Sequence, residues 1–587
     1  MKVLFNPSRK PASADLPEWR SRLVLGLLLT ALTILIARAV YLQALNKDFL
    51  QQQGQSRHLR IIEQNSKRGS IKDRNGEILA ISAPVKSIWI DPKVVREANA
   101  TPKQVRQLSN LLEMSEAGIQ ERIRSDRRFV YLKRKLPPEK ADKIAALNIK
   151  GLYFKHEFYR YYPSRELAAH ILGFTDVDGR GQEGMELAWQ DVLTGEDGKR
   201  RVIKDRIGRI VEDAGQIRLP KSGQDVVLSI DSKIQYLAYR ELARTVKEQH
   251  AKAGSIVALD IKTGEVLAMA NYPAFNPNQR ASMKNEVIRN RVLVDTYEPG
   301  STLKPFVVAV AMETGRVKPD TLLETSGGRL KIGKATIHDV RDKGNLTVSQ
   351  VIQASSNVGA AKIALLLPSK TFWEMLNRSG FGTETGIGFP GEASGQLRAY
   401  NKWRPIEQAT MSYGHGISVS LMQLARAYTL FATDGELKPI TLLKRDTPAI
   451  GQKVISRETA QSVRKMLELA VQPEGTGSGA RINGYRVAGK TGTAHKRLEK
   501  QKGYASDRYI SSFVGFAPAS APRVIIAVMI DEPAAGHYYG GTVAAPVFSR
   551  VMEGTLRVMN VPFDDSLGNL VTSPATPTAP ARLEARG

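Results

Sequence analysis

The sequence contains no cysteine among its 587 residues. This absence excludes disulfide bonds, a thiolate nucleophile and cysteine-ligated zinc or iron–sulfur sites. Histidine is also scarce, with eight residues of which no two lie four positions apart, and this disfavours a histidine metal site. We therefore expect neither a metal nor another cofactor.

Nucleic-acid-binding motifs are missing as well. The chain has no RNP-type aromatic motif and no zinc-finger spacing, although its formal net charge is +27. The basic residues are spread along the whole chain, which is typical of a surface that faces an acidic envelope; a module that binds polyanions is the alternative. We predict no nucleic-acid partner.

Only one long apolar run is present, Leu23–Leu45, and Arg38 interrupts it. As a helix this run is about 34 Å long, enough to cross a bilayer, and Arg38 lies towards one end, where its side chain can reach the interface. A cleaved signal peptide or a buried helix is the alternative. Because Lys2, Arg9, Lys10, Arg20 and Arg22 precede the run, we predict that residues 1–22 are a cytoplasmic tail.

The rest of the chain divides by its pattern into two parts and a tail. Residues 46–225 mix short strands and helices and are predicted to form an α+β pedestal. From 226 to 562 we expect one α/β domain, in which a hairpin at 255–270 and strands at 509–516 and 523–530 form an antiparallel sheet around a helical subdomain. Residues 563–587, rich in Pro, Thr and Ala, are predicted to be disordered.

Three short motifs follow one another in this predicted domain: Ser301-Thr-Leu-Lys304, Ser355-Ser-Asn357 and Lys490-Thr-Gly-Thr493. A serine at a helix start and a lysine three residues later share one helix face, so the amine can reach the hydroxyl. Lysine can act as the base only when it is neutral, which requires its pKa to fall by roughly three units. Burial and a second cation, Lys490, would lower it.

Each motif alone is weak, because the chain contains look-alikes. Ser462–Lys465 repeats the first motif inside an amphipathic helical pattern, and Lys262–Gly264 repeats the third in a predicted hairpin turn. Gly484–Thr491 matches the phosphate-loop pattern, but its residues are strand-like where that motif needs a loop followed by a helix. We interpret all three as structural, and we place the chemistry in the ordered triple.

With these motifs the chain resembles the penicillin-binding proteins. The stretches Arg68–Ala80, Gly181–Glu186, Tyr297–Pro305 and Lys490–Ala494 resemble motifs of the class B, division-specific type (FtsI type). The resemblance implies the serine β-lactamase/penicillin-binding transpeptidase fold, an elongated pedestal and one transmembrane helix. It also implies a peptidoglycan D,D-transpeptidase of the bacterial inner membrane, with its catalytic domain in the periplasm.

The resemblance assigns a role to each motif residue. Ser301 would form the acyl-enzyme with a stem peptide, with Lys304 as its base. Ser355 would relay a proton, and Asn357 would hold the substrate amide and Lys304. Lys490 would give electrostatic support, while the Thr491-Gly492-Thr493 segment would bind the substrate carboxylate and, with the N–H groups of Ser301 and Thr493, the oxyanion.

The resemblance further implies partners: stem peptides and lipid II-derived strands, β-lactams, a SEDS-type glycosyltransferase and other divisome membrane proteins. Several alternatives stay open at this point. They are a D,D-carboxypeptidase or β-lactamase, a β-lactam sensor, and an elongation-type class B enzyme. A class A enzyme is disfavoured because residues 46–225 carry no E-D-x-x-F-x-x-H pattern.

Overall fold

A computed structural model describes residues 18–45, 59–204, 210–279, 283–497 and 503–565. The predicted cytoplasmic tail is thus described only from residue 18, and the predicted disordered tail only up to residue 565. The other residues of both segments lie outside the described part of the chain.

The α-helices are, in chain order, α1 (Glu18–Val40), α2 (Pro92–Glu97), α3 (Pro102–Leu112), α4 (Glu116–Arg124), α5 (Pro138–Ala145), α6 (Ala169–Leu172), α7 (Gly184–Ala188), α8 (Gln190–Leu193), α9 (Ser232–Glu248), α10 (Asn285–Ile288), α11 (Arg291–Val294), α12 (Lys304–Glu313), α13 (Val348–Ala354), α14 (Asn357–Leu365), α15 (Ser369–Arg378), α16 (Pro405–Met411), α17 (Leu421–Ala427), α18 (Thr429–Ala432), α19 (Arg457–Leu469), α20 (Gly540–Val543) and α21 (Ala545–Val558). A π-helical turn, Tyr41–Leu45, follows α1.

The strands are β1 (Leu59–Gln64), β2 (Ile71–Lys72), β3 (Ile78–Ile90), β4 (Val130–Leu136), β5 (Leu152–Tyr161), β6 (Gly198–Lys204), β7 (Ile210–Arg218), β8 (Val226–Val227), β9 (Ala253–Asp260), β10 (Val266–Tyr272), β11 (Leu322–Leu323), β12 (Arg329–Ile332), β13 (Ala335–His338), β14 (Leu346–Thr347), β15 (Glu436–Leu437), β16 (Gln452–Lys453), β17 (Ala488–Arg497), β18 (Tyr504–Ala517) and β19 (Val524–Asp531).

Helix α1 contains most of the apolar run. Together with the first residues of the π-helical turn it is long and apolar enough to cross a membrane, and none of its residues is buried against the rest of the described chain. The helix begins at Glu18, earlier than the apolar run itself, and Arg38 lies in its last turn.

The described chain forms two compact units. The first contains residues 87–155 and 196–221 together with the N-terminal residues up to 66. Its core joins α2–α5 with one face of β3 and β4, through residues such as Ile88, Leu108 and Leu132. Thr101 caps the start of helix α3. Its side chain accepts a hydrogen bond from the backbone N–H of Gln104, and the Gln104 side chain accepts one from the backbone N–H of Thr101. Strands β1, β6 and β7 form a separate antiparallel sheet in this unit.

The second unit contains the predicted α/β domain. Its central sheet has the order β10-β9-β19-β18-β17, with every neighbouring pair antiparallel. The predicted assembly of the sheet from both ends of the domain is therefore confirmed. Helices α9 and α21 cover one face, and the Asp231 side chain caps the start of α9. The helical segments α11–α19 pack on the other face.

The second unit also takes in residues 67–86 and 156–195, which lie within the predicted pedestal. The pedestal prediction grouped these residues by their place in the chain. In the structure they are held by buried ionic contacts: Arg68 Nε and Arg160 Nε bind the two carboxylate oxygens of Glu186 at 2.7 and 2.6 Å. The turn between β2 and β3 is also here, with Gly76 at φ +90°.

The chain still contacts the second unit just beyond residue 562. The ring of Phe563 packs against Tyr485 with centroids 4.8 Å apart. The carboxylate of Asp564 accepts hydrogen bonds from the backbone N–H groups of Arg486 and Ser520. The unit therefore extends to these residues.

Candidate active site

Ser301 lies on a short helical turn that leads into the buried helix α12. Gly300 precedes it at φ +59°, a conformation that glycine adopts without steric cost, and the 3₁₀ turn Gly300–Leu303 runs directly into α12 at Lys304. A buried hydrogen bond holds the turn in place: the Tyr428 hydroxyl donates to the carbonyl of Thr302 at 2.8 Å. The serine hydroxyl is thus presented at the start of a rigid helix.

Lys304 is completely buried beneath that hydroxyl. Its Nζ lies 2.9 Å from Ser301 Oγ, 2.6 Å from the Ser355 carbonyl oxygen and 2.8 Å from Asn357 Oδ1. Burial, and then the neighbouring Lys490 ammonium, lower the pKa of Lys304 well below its usual value, while Asp339 opposes the shift. These are the two causes that favour a neutral lysine.

Ser355 and Asn357 lie at the junction of two helices. Ser355 ends α13 in the left-handed conformation, with φ +60°, and Ser356 caps α14, of which Asn357 is the first residue. This sharp reversal turns the Ser355 hydroxyl towards both lysines: its Oγ is 3.2 Å from Lys304 Nζ and 2.9 Å from Lys490 Nζ.

Lys490 reaches the site from β17, a strand at one edge of the central sheet. The residue is fully buried, and burial lowers the pKa of Lys490 to about 7. Neither Lys490 nor Lys304 forms an ion pair with a carboxylate within the ranges that the structure describes.

The next residues of β17 pass beside the serine turn. A Cβ on Gly492 would lie 2.3 Å from Ser512 Oγ, so only glycine fits there. The Thr493 backbone faces Gly300, because its N would be 3.4 Å from a Cβ on Gly300. The Thr491 hydroxyl lies 3.0 Å from that of Thr476, and Thr493 Oγ1 accepts a hydrogen bond from Gly540 N at 3.0 Å.

These groups open into a cavity of about 630 Å³. Its wall contains the polar side chains of the motif residues and several aromatic side chains. It is lined by Ser301, Asp339, Val340, Arg341, Lys343, Ala354, Ser355, Ser356, Asn357, Tyr413, His415, Glu474, Gly475, Thr476, Ser478, Thr491, Thr493, His495, Tyr509, Tyr538, Tyr539, Gly540, Gly541 and Thr542.

The structure therefore brings together all eight predicted site residues, from three distant segments of the chain. The look-alike motifs lie elsewhere. Lys465 is exposed on α19, Lys262 is exposed in the hairpin turn between β9 and β10, and Lys490 and Thr491 belong to a strand where a phosphate loop would need a helix start.

Several groups around the site carried no signal in the sequence. Asp339 accepts hydrogen bonds from the Ser356 hydroxyl at 2.6 Å and from the backbone N–H groups of Asn357 and Val358. It thereby anchors the start of α14. His415 and Thr476 also line the cavity. All three are single residues in loops, outside the three motifs.

No group of three or more His, Asp or Glu side chains that could hold a metal ion occurs in the described ranges. The site instead offers amines, hydroxyls, an amide and the backbone N–H groups of a turn and an edge strand. Such a set can activate a hydroxyl, bind a carboxylate and stabilise an oxyanion.

Comparison with known protein families gives two matches along the chain. Residues 254–553 match the penicillin-binding protein transpeptidase domain, and residues 63–228 match the penicillin-binding protein dimerisation domain. Together these matches include the site described above and most of the region that precedes it.

Individual proteins are similar over nearly the whole length. The peptidoglycan D,D-transpeptidase FtsI of Escherichia coli K12 is 41% identical over 559 residues, 94% of each chain. The probable peptidoglycan D,D-transpeptidase PenA of Neisseria meningitidis is 42% identical over 530 residues, 90% of each chain. The apo transpeptidase domain of Burkholderia pseudomallei penicillin-binding protein 3 is 49% identical, with a TM-score of 0.53, and covers 57% of this chain and 97% of its own.

Proposed function

This chain belongs to the class B penicillin-binding proteins of the FtsI type, and we propose that Ser301 is the nucleophile of its transpeptidase reaction. The chain is a peptidoglycan D,D-transpeptidase that cross-links stem peptides in septal cell-wall synthesis and is a covalent target of β-lactams. The observation that carries the assignment of Ser301 is the 2.9 Å contact between its hydroxyl and the completely buried amine of Lys304.

Lys304 acts as the base because its neutral form fits the contacts around it. A neutral amine has two N–H bonds and one lone pair. The Ser355 carbonyl at 2.6 Å and Asn357 Oδ1 at 2.8 Å accept the two N–H bonds, so the lone pair faces the Ser301 hydroxyl. The amine can then take the proton as Ser301 Oγ attacks the carbonyl of the penultimate D-alanine.

The remaining motif residues stabilise the charges that develop. The N–H groups of Ser301 and Thr493 receive the oxyanion, and Thr491 and Thr493 bind the terminal carboxylate near the Lys490 cation. The Ser355 hydroxyl lies between the two lysines, at 3.2 and 2.9 Å, and passes a proton to the leaving D-alanine. An amine of a second stem peptide then resolves the ester. A β-lactam acylates Ser301 by the same route.

The protein is membrane-anchored. We assign residues 23–45 as the single span, 1–22 as the cytoplasmic tail, 46–225 as the pedestal, of which 67–86 and 156–195 belong to the same compact unit as the next domain, and 226 to about 565 as the periplasmic transpeptidase domain at the inner membrane. The basic residues before the apolar run support this orientation. A SEDS-type glycosyltransferase and other divisome membrane proteins are the expected partners, because cross-linking needs newly polymerised strands.

The test is covalent labelling of the full-length chain with fluorescent penicillin. We expect Ser301→Ala to abolish labelling completely, because the lone pair of Lys304 faces the Ser301 hydroxyl and the variant has no nucleophile at that position. Ser462→Ala removes the serine of the look-alike motif and is the matched control, expected to be labelled like the wild type. Labelling that survives Ser301→Ala, or that is lost in Ser462→Ala, contradicts the assignment.

A further inference from the structure

The cavity wall contains an imidazole that is anchored beside the serine turn. His415 lies between two glycines with positive φ, +84° at Gly414 and +82° at Gly416. A Cβ on Gly414 would lie 2.3 Å from the carbonyl oxygen of Gly300, so the backbones touch there. On the other side, Gly416 N donates to Glu298 Oε1 at 3.1 Å. His415 is therefore fixed against the segment that leads into Ser301.

The ring of His415 is held by two tyrosines. Tyr504 stacks on it at 5.8 Å between centroids with planes 29° apart, and Tyr413 meets it edge-on at 5.1 Å. The Tyr504 hydroxyl donates to Glu298 Oε1 at 3.0 Å, the same carboxylate oxygen that accepts from Gly416. Glu298 is only 5% exposed. One buried carboxylate thus fixes both the backbone and the stacking partner of the imidazole.

The ring nitrogens of His415 have no hydrogen-bond partner among the residues that the structure describes. Burial, and then the charges of Lys304 and His495, lower the pKa of His415 to about 4. Titratable groups packed around it include Tyr413, Tyr504 and Glu298. The imidazole is neutral at physiological pH, so it offers one N–H and one lone pair to the cavity.

Two other acceptors of the cavity wall are already engaged. Asp339 accepts three hydrogen bonds at the start of α14, and Asn357 Oδ1 is bound to Lys304. Glu474 and His495 also line the cavity, but both are exposed. The lone pair of His415 is thus a free hydrogen-bond acceptor in the cavity wall near Ser301. The acylation step proposed above gives it no role.

We propose that His415 forms the subsite for the acceptor amine, the amine that resolves the acyl-enzyme. This inference rests on the proposed function of Ser301. The imidazole lone pair accepts an N–H of the amine and directs the nitrogen lone pair to the acyl carbon. The C–N bond forms, the bond from the acyl carbon to Ser301 Oγ breaks, and the surplus amine proton returns through Lys304 to Ser301 Oγ. His415 acts by hydrogen bonding, not as the final proton acceptor.

The experiment measures how the acyl-enzyme partitions between amine and water. A thioester donor peptide acylates the full-length chain in detergent, D-alanine serves as the acceptor, and the ratio of aminolysis to hydrolysis is followed against D-alanine concentration. His415→Phe keeps a stacked ring but has no nitrogen, and we expect it to lower the ratio about tenfold through a higher apparent KM for the amine. His415→Gln restores a hydrogen-bond acceptor and should recover at least a third of the wild-type ratio.

The matched comparison is His495→Phe, the same change at the other cavity histidine, which also packs on a tyrosine, at 4.5 Å from Tyr509. Its effect on the ratio should be no more than about threefold. An unchanged ratio in His415→Phe, an equal loss in both Phe variants, or no rescue by Gln overturns the proposal. The ratio does not depend on how much enzyme is folded. Failure of Ser301 as the nucleophile is detected separately, by penicillin labelling of Ser301→Ala.

Discussion

Two clusters of buried charge in the second unit differ in how their charges are balanced. Around Glu186, both carboxylate oxygens are bound by guanidinium groups, Arg68 at 2.7 Å and Arg160 at 2.6 Å, and all three residues are at most 7% exposed. Around Ser301, the two lysines are equally buried, but their contacts are hydroxyls, a carbonyl and an amide.

The difference follows from the physics of burial. The attraction between paired charges offsets part of their desolvation, so the Glu186 cluster can tie the segments at residues 68, 160 and 186 together. An amine without a carboxylate cannot offset that cost, and its pKa falls until it can serve as a base. The same unit therefore uses buried charge for rigidity in one place and for reactivity in the other.

The largest effect is expected from Lys304→Arg. A guanidinium stays protonated at any accessible pH, so it cannot accept the serine proton even though the approximate length of the side chain is kept. We expect the second-order rate of acylation by fluorescent penicillin to fall about a thousandfold or more. The measurement is stopped-flow or gel-based labelling of the full-length chain.

The control for this change is Lys465→Arg, on the exposed lysine of the look-alike motif in α19. It should be acylated at the wild-type rate. If Lys304→Arg retains more than a tenth of the wild-type rate, the lysine serves only as a cation, and the contrast between the two clusters disappears.

A smaller effect concerns the pH dependence of acylation. Because burial lowers the pKa of Lys490 to about 7, the free enzyme loses this cation as the pH rises through 7, and an anionic penicillin is then bound less well. We expect the second-order rate constant to fall about tenfold between pH 7 and 9. In Lys490→Arg the charge persists, so this fall should be absent, whatever the absolute rate. An identical fall in both proteins contradicts the role given to Lys490.

The sequence predicted those parts of the site that carry a local pattern. The ordered triple identified Ser301, Lys304, Ser355, Asn357 and Lys490–Thr493, which the structure brings together. The motif letters alone could not distinguish Lys304 from Lys465, because the difference is burial, and burial depends on what α12 packs against. The order of the three motifs along the chain favoured Lys304 over Lys465.

Other parts of the site depend on contacts that no local sequence pattern predicts. Asp339 and His415 are single loop residues, and each acquires its role from backbone groups of segments distant in the chain. The pedestal was predicted as one continuous range, whereas residues 67–86 and 156–195 belong to the second unit and are tied to each other by the Glu186 cluster. The ion-pair partner of a single arginine such as Arg68 cannot be predicted from the local sequence, because Glu186 is distant in the chain.

The smallest effect should come from Arg→Lys changes in the Glu186 cluster. These changes keep the positive charge beside the carboxylate and alter only the hydrogen bonds that the side chain can donate. Arg68 donates from three nitrogens to Glu186, Gln190 and Thr194, all at 2.7–2.9 Å. Arg160 also binds Glu186 and the Gly69 carbonyl, but its Nη2 is buried with no hydrogen-bond partner among the described residues. The two arginines are therefore not equivalent, although they share one carboxylate.

Arg68→Lys removes satisfied hydrogen bonds and is expected to cost about 2 kcal/mol, whereas Arg160→Lys also removes an unsatisfied donor and should cost about 1 kcal/mol or less. The measurement is the shift in the thermal unfolding midpoint of the full-length chain in one detergent at one scan rate. Penicillin labelling should continue in both variants, because neither arginine contacts the cavity. A larger loss from Arg160→Lys than from Arg68→Lys would show that the pairing with Glu186, and not the complete set of hydrogen bonds, determines how firmly this cluster holds.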